Sequence, residues 1–167
     1  MIILSALVLA AALLLVWTGI EHLRAPATST ASRAAGLLQS SLGILAAVVM
    51  MHRTGTGPQV LLGQAALYAS FAGVLAFRLA RADRGDCRCT RVTARVGPTG
   101  ITRAVAAALV SAAAAAGYPR VVLPGVDVTD PRVALALAAA ITMGTVAYAL
   151  PAALDGAPAP LRGGAGR

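Results

Sequence analysis

The chain has no lysine, and among its 167 residues it carries only six acidic residues, two histidines and two cysteines. Charged residues make up 12% of it, against about a quarter in an ordinary soluble domain. Aromatic residues are scarce as well, at 4%. These shortages exclude whole classes of chemistry. There is no paired-carboxylate constellation, Ser/His/Asp set or phosphate-cradling glycine loop, so hydrolase and kinase readings have no support. Two cysteines and two distant histidines do not form the four-ligand set of structural zinc, and no metal is expected. The net charge of +8 raises a nucleic-acid reading. The basic stretches, however, lack the interleaved aromatics on which bases stack, and no nucleic-acid partner is expected.

What remains is apolar. Hydrophobic residues reach 58% and the mean hydropathy is +0.78. Five runs approach or reach the roughly 18–20 residues that span a bilayer. They are Ile2 to Ile20, Ala34 to Met51, Val60 to Leu79, Ile101 to Tyr118 and Val133 to Leu150. The expectation is an all-α integral membrane protein, a polytopic bundle of four to five transmembrane helices over residues 1–150. A Gly/Ala/Pro-rich tail over 151–167 is expected to be disordered. No basic residue precedes the first run, and that run exceeds a signal-peptide core, so a spanning helix is expected there. Arginine to the exclusion of lysine, with abundant alanine, suggests a GC-rich bacterial genome. The expected place is therefore the inner (plasma) membrane, crossed several times, with the lipid bilayer as first partner.

Arginines beside the runs set the expected orientation. Arg24 and Arg33 flank the first connection, and Arg81, Arg84, Arg88, Arg91 and Arg95 lie in the third, with Arg78 and Arg103 beside it. Arg162 and Arg167 lie in the tail. The other side has only Arg53, Arg120 and Arg132. Five spans with the N-terminus outside and the arginine-rich third connection in the cytoplasm fit this count.

That third connection holds both cysteines, in Asp86-Cys87-Arg88-Cys89. Cysteines at i and i+2 can close a small strained disulfide, and strain makes such a bond easier to reduce. Neighbouring cations favour the thiolate, the nucleophile of exchange; Asp83 and Asp86 offset part of that field. A thiol–disulfide relay is one reading and two incidental loop cysteines the other. No second thiol pair is present, so a relay needs a partner protein or a quinone as electron acceptor. Arg103, near the start of the fourth run, needs an anion or the water interface. Lipid phosphate, a Cys87 or Cys89 thiolate, Glu21 and a quinone head are its candidates. Glu21-His22, at the end of the first run, reads either as a helix anchor or as an acid–base pair.

Three stretches together resemble the MauE (methylamine utilisation) family of membrane proteins, related to the DoxX group. Trp17-Thr18-Gly19-Ile20-Glu21-His22-Leu23-Arg24-Ala25-Pro26 is similar to the family's stretch at the end of its first helix, with His22 where the family has lysine. Phe77-Arg78 through Arg84-Gly85-Asp86-Cys87-Arg88-Cys89 is similar to its helix-three exit and Cys-x-Cys, with Thr90-Arg91 in place of Phe-Gly. Ile101-Thr102-Arg103 stands where the family has an arginine opening helix four, with Ala104 in place of an asparagine. The likeness covers most of residues 1 to 118.

The resemblance implies a role in thiol–disulfide exchange or in maturation of a redox partner, methylamine dehydrogenase-like in the family. Cys87 and Cys89 would be the redox pair, Arg103 a supporting charge, and a thioredoxin-like or disulfide-rich protein the partner. Disulfide formation belongs outside the cytoplasm, whereas the arginine count places the pair inside, so both directions of electron flow stay open. A non-catalytic membrane scaffold or assembly factor is the alternative. A small-solute transporter is weaker, because the runs show no interrupted helices or repeat pair.

Overall fold

The structure is a computed structural model that describes residues 2–24, 30–81, 86–87, 94–118, 120–123 and 130–155. Among these are five α-helices, α1 (Ile2–Arg24), α2 (Thr30–Met51), α3 (Gly57–Ala80), α4 (Pro98–Gly117) and α5 (Pro131–Leu154). Two two-residue strands, β1 (Asp86–Cys87) and β2 (Ala94–Arg95), pair antiparallel between α3 and α4. Each of the five helices is long and apolar enough to cross a membrane. The chain is an all-α, multi-pass membrane protein.

Local sequence sets the helix ends. Proline occupies the first turn of α3, α4 and α5, where its missing N–H has no intrahelical partner to lose. Asp130 caps α5 by accepting the Arg132 backbone N–H at 2.8 Å. His22 and Arg24 close α1, where cations suit the carbonyl end of the helix.

The ends differ from the sequence expectation in two places that matter. α4 begins at Pro98, three residues before the expected start of the fourth run at Ile101, so Arg103 lies beyond its first turn, past the reach of the helix dipole. α5 continues through Pro151 to Leu154 and ends at Asp155, four residues into the stretch expected to be tail. Residues 156–167 and Pro26 lie outside the described residues.

The helices pack as two antiparallel pairs, α1 with α2 and α3 with α4, and α5 leans on α1. α1 is the centre: 56% of its spanning window is buried, against at most 33% elsewhere. One core gathers Val8, Ala12, Met50, Leu61, Val121 and Ala136. A second holds Leu15, Tyr68, Ala72 and Ala104, and in it the Tyr68 hydroxyl donates to the carbonyl of Ala11 at 2.6 Å. Because lipid is as apolar as leucine, association relies on close packing of small residues. α1 and α2 do this through Gly19 on one side and Gly36, Ser40 and Gly43 on the other.

Two contacts orient α5. Gly144 lies against Ala10, whose carbonyl a Cβ there would approach to 3.6 Å, and Tyr148 meets Glu21 further along both helices. α1 and α5 therefore run parallel. Alternation of the spans places the ends of α1, α3 and α5, the starts of α2 and α4, and the β1–β2 hairpin at one end of the bundle. The opposite end is closed by Tyr118, whose hydroxyl accepts from the Thr54 N–H at 2.8 Å and donates to the His52 carbonyl at 3.4 Å.

Candidate functional site

The hairpin end carries most of the residues singled out in the sequence. Cys87 is in β1, with its backbone paired to Ala94 in β2, and β2 packs on α5. Cys89 lies outside the described residues, as do Arg84, Arg88 and Arg91. Val96 and Gly97 follow β2 as buried positions leading into α4. Arg81 ends α3 with its guanidinium 4.2 Å from the centre of the Phe77 ring, a cation–π contact.

Arg103 projects from α4 toward α5 and donates through Nη1 to the carbonyl of Ala147 at 3.0 Å. The partner is a backbone carbonyl, which the sequence did not offer among its candidates. The reason is local. Ala147 lies four residues before Pro151, and proline has no N–H with which to close the i to i−4 hydrogen bond. A carbonyl left open inside the bilayer costs free energy. Arg103 fills it, and α5 continues as a helix past Pro151.

Glu21 sits in the last turn of α1 and faces α5. Its Oε1 accepts the Tyr148 hydroxyl at 2.8 Å and the indole Nε1–H of Trp17 at 3.3 Å. The Trp17 and Tyr148 rings stand 5.6 Å apart at 53°. These three side chains form the head of a groove of about 460 Å³ between α1 and α5. Its walls are apolar, with Leu13, Val16, Ile20 and Ile141, its floor is Gly144, and Arg24 lies at its rim. Trp17 and Ile141 are exposed, so the groove opens sideways toward lipid.

His22 does not share this groove. Its Nδ1 lies 3.4 Å from Ser32 Oγ, tying the end of α1 to the start of α2. The expected Glu21–His22 pair is thus split between two neighbours. His22 and His52 stand at opposite ends of the bundle, near Ser32 and Tyr118 respectively.

Three features escaped sequence reasoning. Tyr148 looked like one more residue of an apolar run, although a lone phenol in an alanine-rich helix was a usable signal. Asp155 looked like tail, yet its Oδ1 accepts the Thr99 hydroxyl at 2.8 Å. It thereby sets a carboxylate at the otherwise uncapped start of α4. Gln64 is fully buried in α3, with neither amide atom hydrogen-bonded.

Comparison with protein-family models, curated proteins and solved structures finds no match to this chain. The class defined here, a five-helix membrane bundle with a cysteine-bearing hairpin at one end, follows from its own sequence and structure.

Proposed function

We propose that this protein is a thiol–disulfide exchange partner of MauE type, with Cys87 and Cys89 as the exchanging pair. The supporting observation is the placement of Cys87 in a short hairpin tied to α5 at the mouth of the bundle. A hairpin held at a membrane end can present a cysteine pair to a soluble partner without unfolding any span.

Each exchange step balances between the pair and one partner, and turnover takes a second partner, a disulfide protein or a quinone, to receive the two electrons. A partner thiolate attacks one sulfur of the Cys87–Cys89 bond and forms a mixed disulfide, and the other cysteine leaves as a thiolate. The partner's second thiolate then displaces the first cysteine. The partner dithiol is oxidised and the Cys87/Cys89 pair reduced, with two electrons passed and the protons taken up by the leaving thiolates. Run backwards, the same steps reduce a partner disulfide. The arginine-rich hairpin end suits the cytoplasmic side, which favours electron donation from a thioredoxin-like protein.

The test is labelling with a membrane-impermeant maleimide in intact and lysed cells, with and without mild reduction, alongside the redox state of trapped partners. A Cys87→Ser/Cys89→Ser variant is expected to lose the mixed disulfides. Unchanged partner redox states in that variant would refute exchange and leave an assembly factor. Labelling of intact cells only after reduction would place an external disulfide and reverse the direction.

A further inference from the structure

We propose that Asp155 is a positioning residue of the exchange site: it seats the base of the cysteine hairpin on the end of α5 and so keeps the Cys87–Cys89 bond easy to reduce. This role presupposes the exchange chemistry at those two cysteines.

The seat is built from both sides. Asp155 ends α5, with its backbone N–H donating to the Pro151 carbonyl at 2.9 Å. α5 reaches this far because Arg103 fills the carbonyl that Pro151 leaves open. The Asp155 carboxyl lies against Gly97, two residues after β2, where any Cβ would collide with it. Oδ1 accepts the Thr99 hydroxyl at 2.8 Å. Oδ2 is buried and takes no hydrogen bond. The tie to Thr99 thus forms in a dry, low-dielectric place, which strengthens it. Val96, between β2 and Gly97, is buried as well.

The hairpin depends on this seat because its own ladder is short. Asp86 stands opposite Arg95 and Cys87 opposite Ala94. An isolated two-stranded hairpin is marginal in water, so the pairing persists only through what β2 rests on. β2 rests on α5, and Asp155 fixes the end of α5 to the residues that follow β2.

The pairing bears on the cysteines through chain geometry. Extended residues advance about 3.3 Å each, so Cα atoms at i and i+2 stand about 6.6 Å apart, at the far edge of the roughly 4.4–6.8 Å that a disulfide spans. Extended backbone at Cys87 therefore opposes closure of the bond to Cys89. A bond closed against that opposition is the more readily reduced. Releasing the hairpin base lets the backbone contract and the bond relax. Asp155 acts on the pair through β1 and β2.

The full-length protein in detergent is equilibrated with mixtures of reduced and oxidised dithiothreitol. Its free thiols are trapped with a maleimide and counted by mass. Dithiothreitol gives two electrons to the Cys87–Cys89 bond and closes its own disulfide ring, so the midpoint reads the stability of the protein bond. Asp155→Ala is expected to move the equilibrium at least threefold toward the protein disulfide. Amide hydrogen exchange in β1 and β2 should accelerate at least tenfold in the same variant. Asp155→Asn keeps the acceptor for Thr99 and the fit against Gly97, and should restore both values. Gly97→Ala crowds the carboxyl aside with Asp155 still in the chain, and should reproduce both changes. Unchanged amide exchange in Asp155→Ala would remove the seat, and faster amide exchange with an unmoved midpoint would remove its hold on the bond; either result overturns the proposal. Failure of the exchange reading shows elsewhere, as wild-type Cys87 and Cys89 that trap no partner in cells.

Discussion

Arg103 on α4 and Ala147 on α5 are joined by a 3.0 Å hydrogen bond from guanidinium to backbone carbonyl. The carbonyl is available because Pro151, four residues on, has no N–H to give it. An arginine in a span thus has a structural task before any catalytic one: it allows a helix to run through a proline inside the bilayer.

Two substitutions separate the partners. Arg103→Leu is expected to cost about 1.5–3 kcal/mol, the range for a hydrogen bond with a charged donor. In a Pro151→Ala background the Ala147 carbonyl regains an intrahelical donor, so the same substitution should cost about 1 kcal/mol less. Thermal unfolding of the four proteins in detergent measures the coupling. Equal penalties in both backgrounds would mean that Arg103 serves something other than this carbonyl.

The contact of α1 with α2 rests on glycines of unequal importance. A Cβ at Gly43 would approach the Ala12 carbonyl to 2.7 Å, and one at Gly36 would approach the Gly19 carbonyl to 2.8 Å. At Gly73, on α3, a Cβ meets nothing within 4 Å. Gly43→Ala should therefore destabilise by about 1–3 kcal/mol through overpacking. Gly73→Ala should be neutral or stabilise by up to about 1 kcal/mol through helix propensity. Chemical denaturation of both variants checks the order, and a reversed order would contradict this packing.

Gln64 has an unpaired amide in a fully buried position. Gly57 beside Tyr118 and Gly100 beside Leu75 set the α3–α4 register, which brings Gln64 level with Ser111. The Ser111 hydroxyl is already given to the Ala107 carbonyl at 2.8 Å. Removing an unsatisfied buried amide relieves a desolvation penalty, so Gln64→Leu is expected to raise stability by about 1 kcal/mol. A loss of similar size in thermal unfolding would show that the amide has a polar partner in the folded protein.

Thr99 and Asp155 tie the start of α4 to the end of α5. Thr99→Val removes the donor and should cost about 1 kcal/mol. Hydrogen exchange is expected to rise locally in the first turn of α4 and the last turn of α5, with little change at the opposite end near Tyr118. Uniform loosening of the whole bundle would be incompatible with a local tie.

Sequence alone determined the class. Long apolar runs and the arginines beside them are one-dimensional signals, because transfer into lipid is summed along a segment before any tertiary contact forms. Five spans and a cysteine-bearing connection between the third and fourth were legible on that basis, whereas the β1–β2 pairing inside that connection was not. The helix ends were less so. α5 outran its expected end at Leu150 because its continuation past Pro151 depends on Arg103, 48 positions earlier in the chain. Likewise, Glu21 and Tyr148 are 127 residues apart, and nothing local to either shows that they share a groove. Only the parallel packing of α1 on α5 decided that, because hydrogen bonds and grooves depend on distances in space that hydropathy along a chain does not encode.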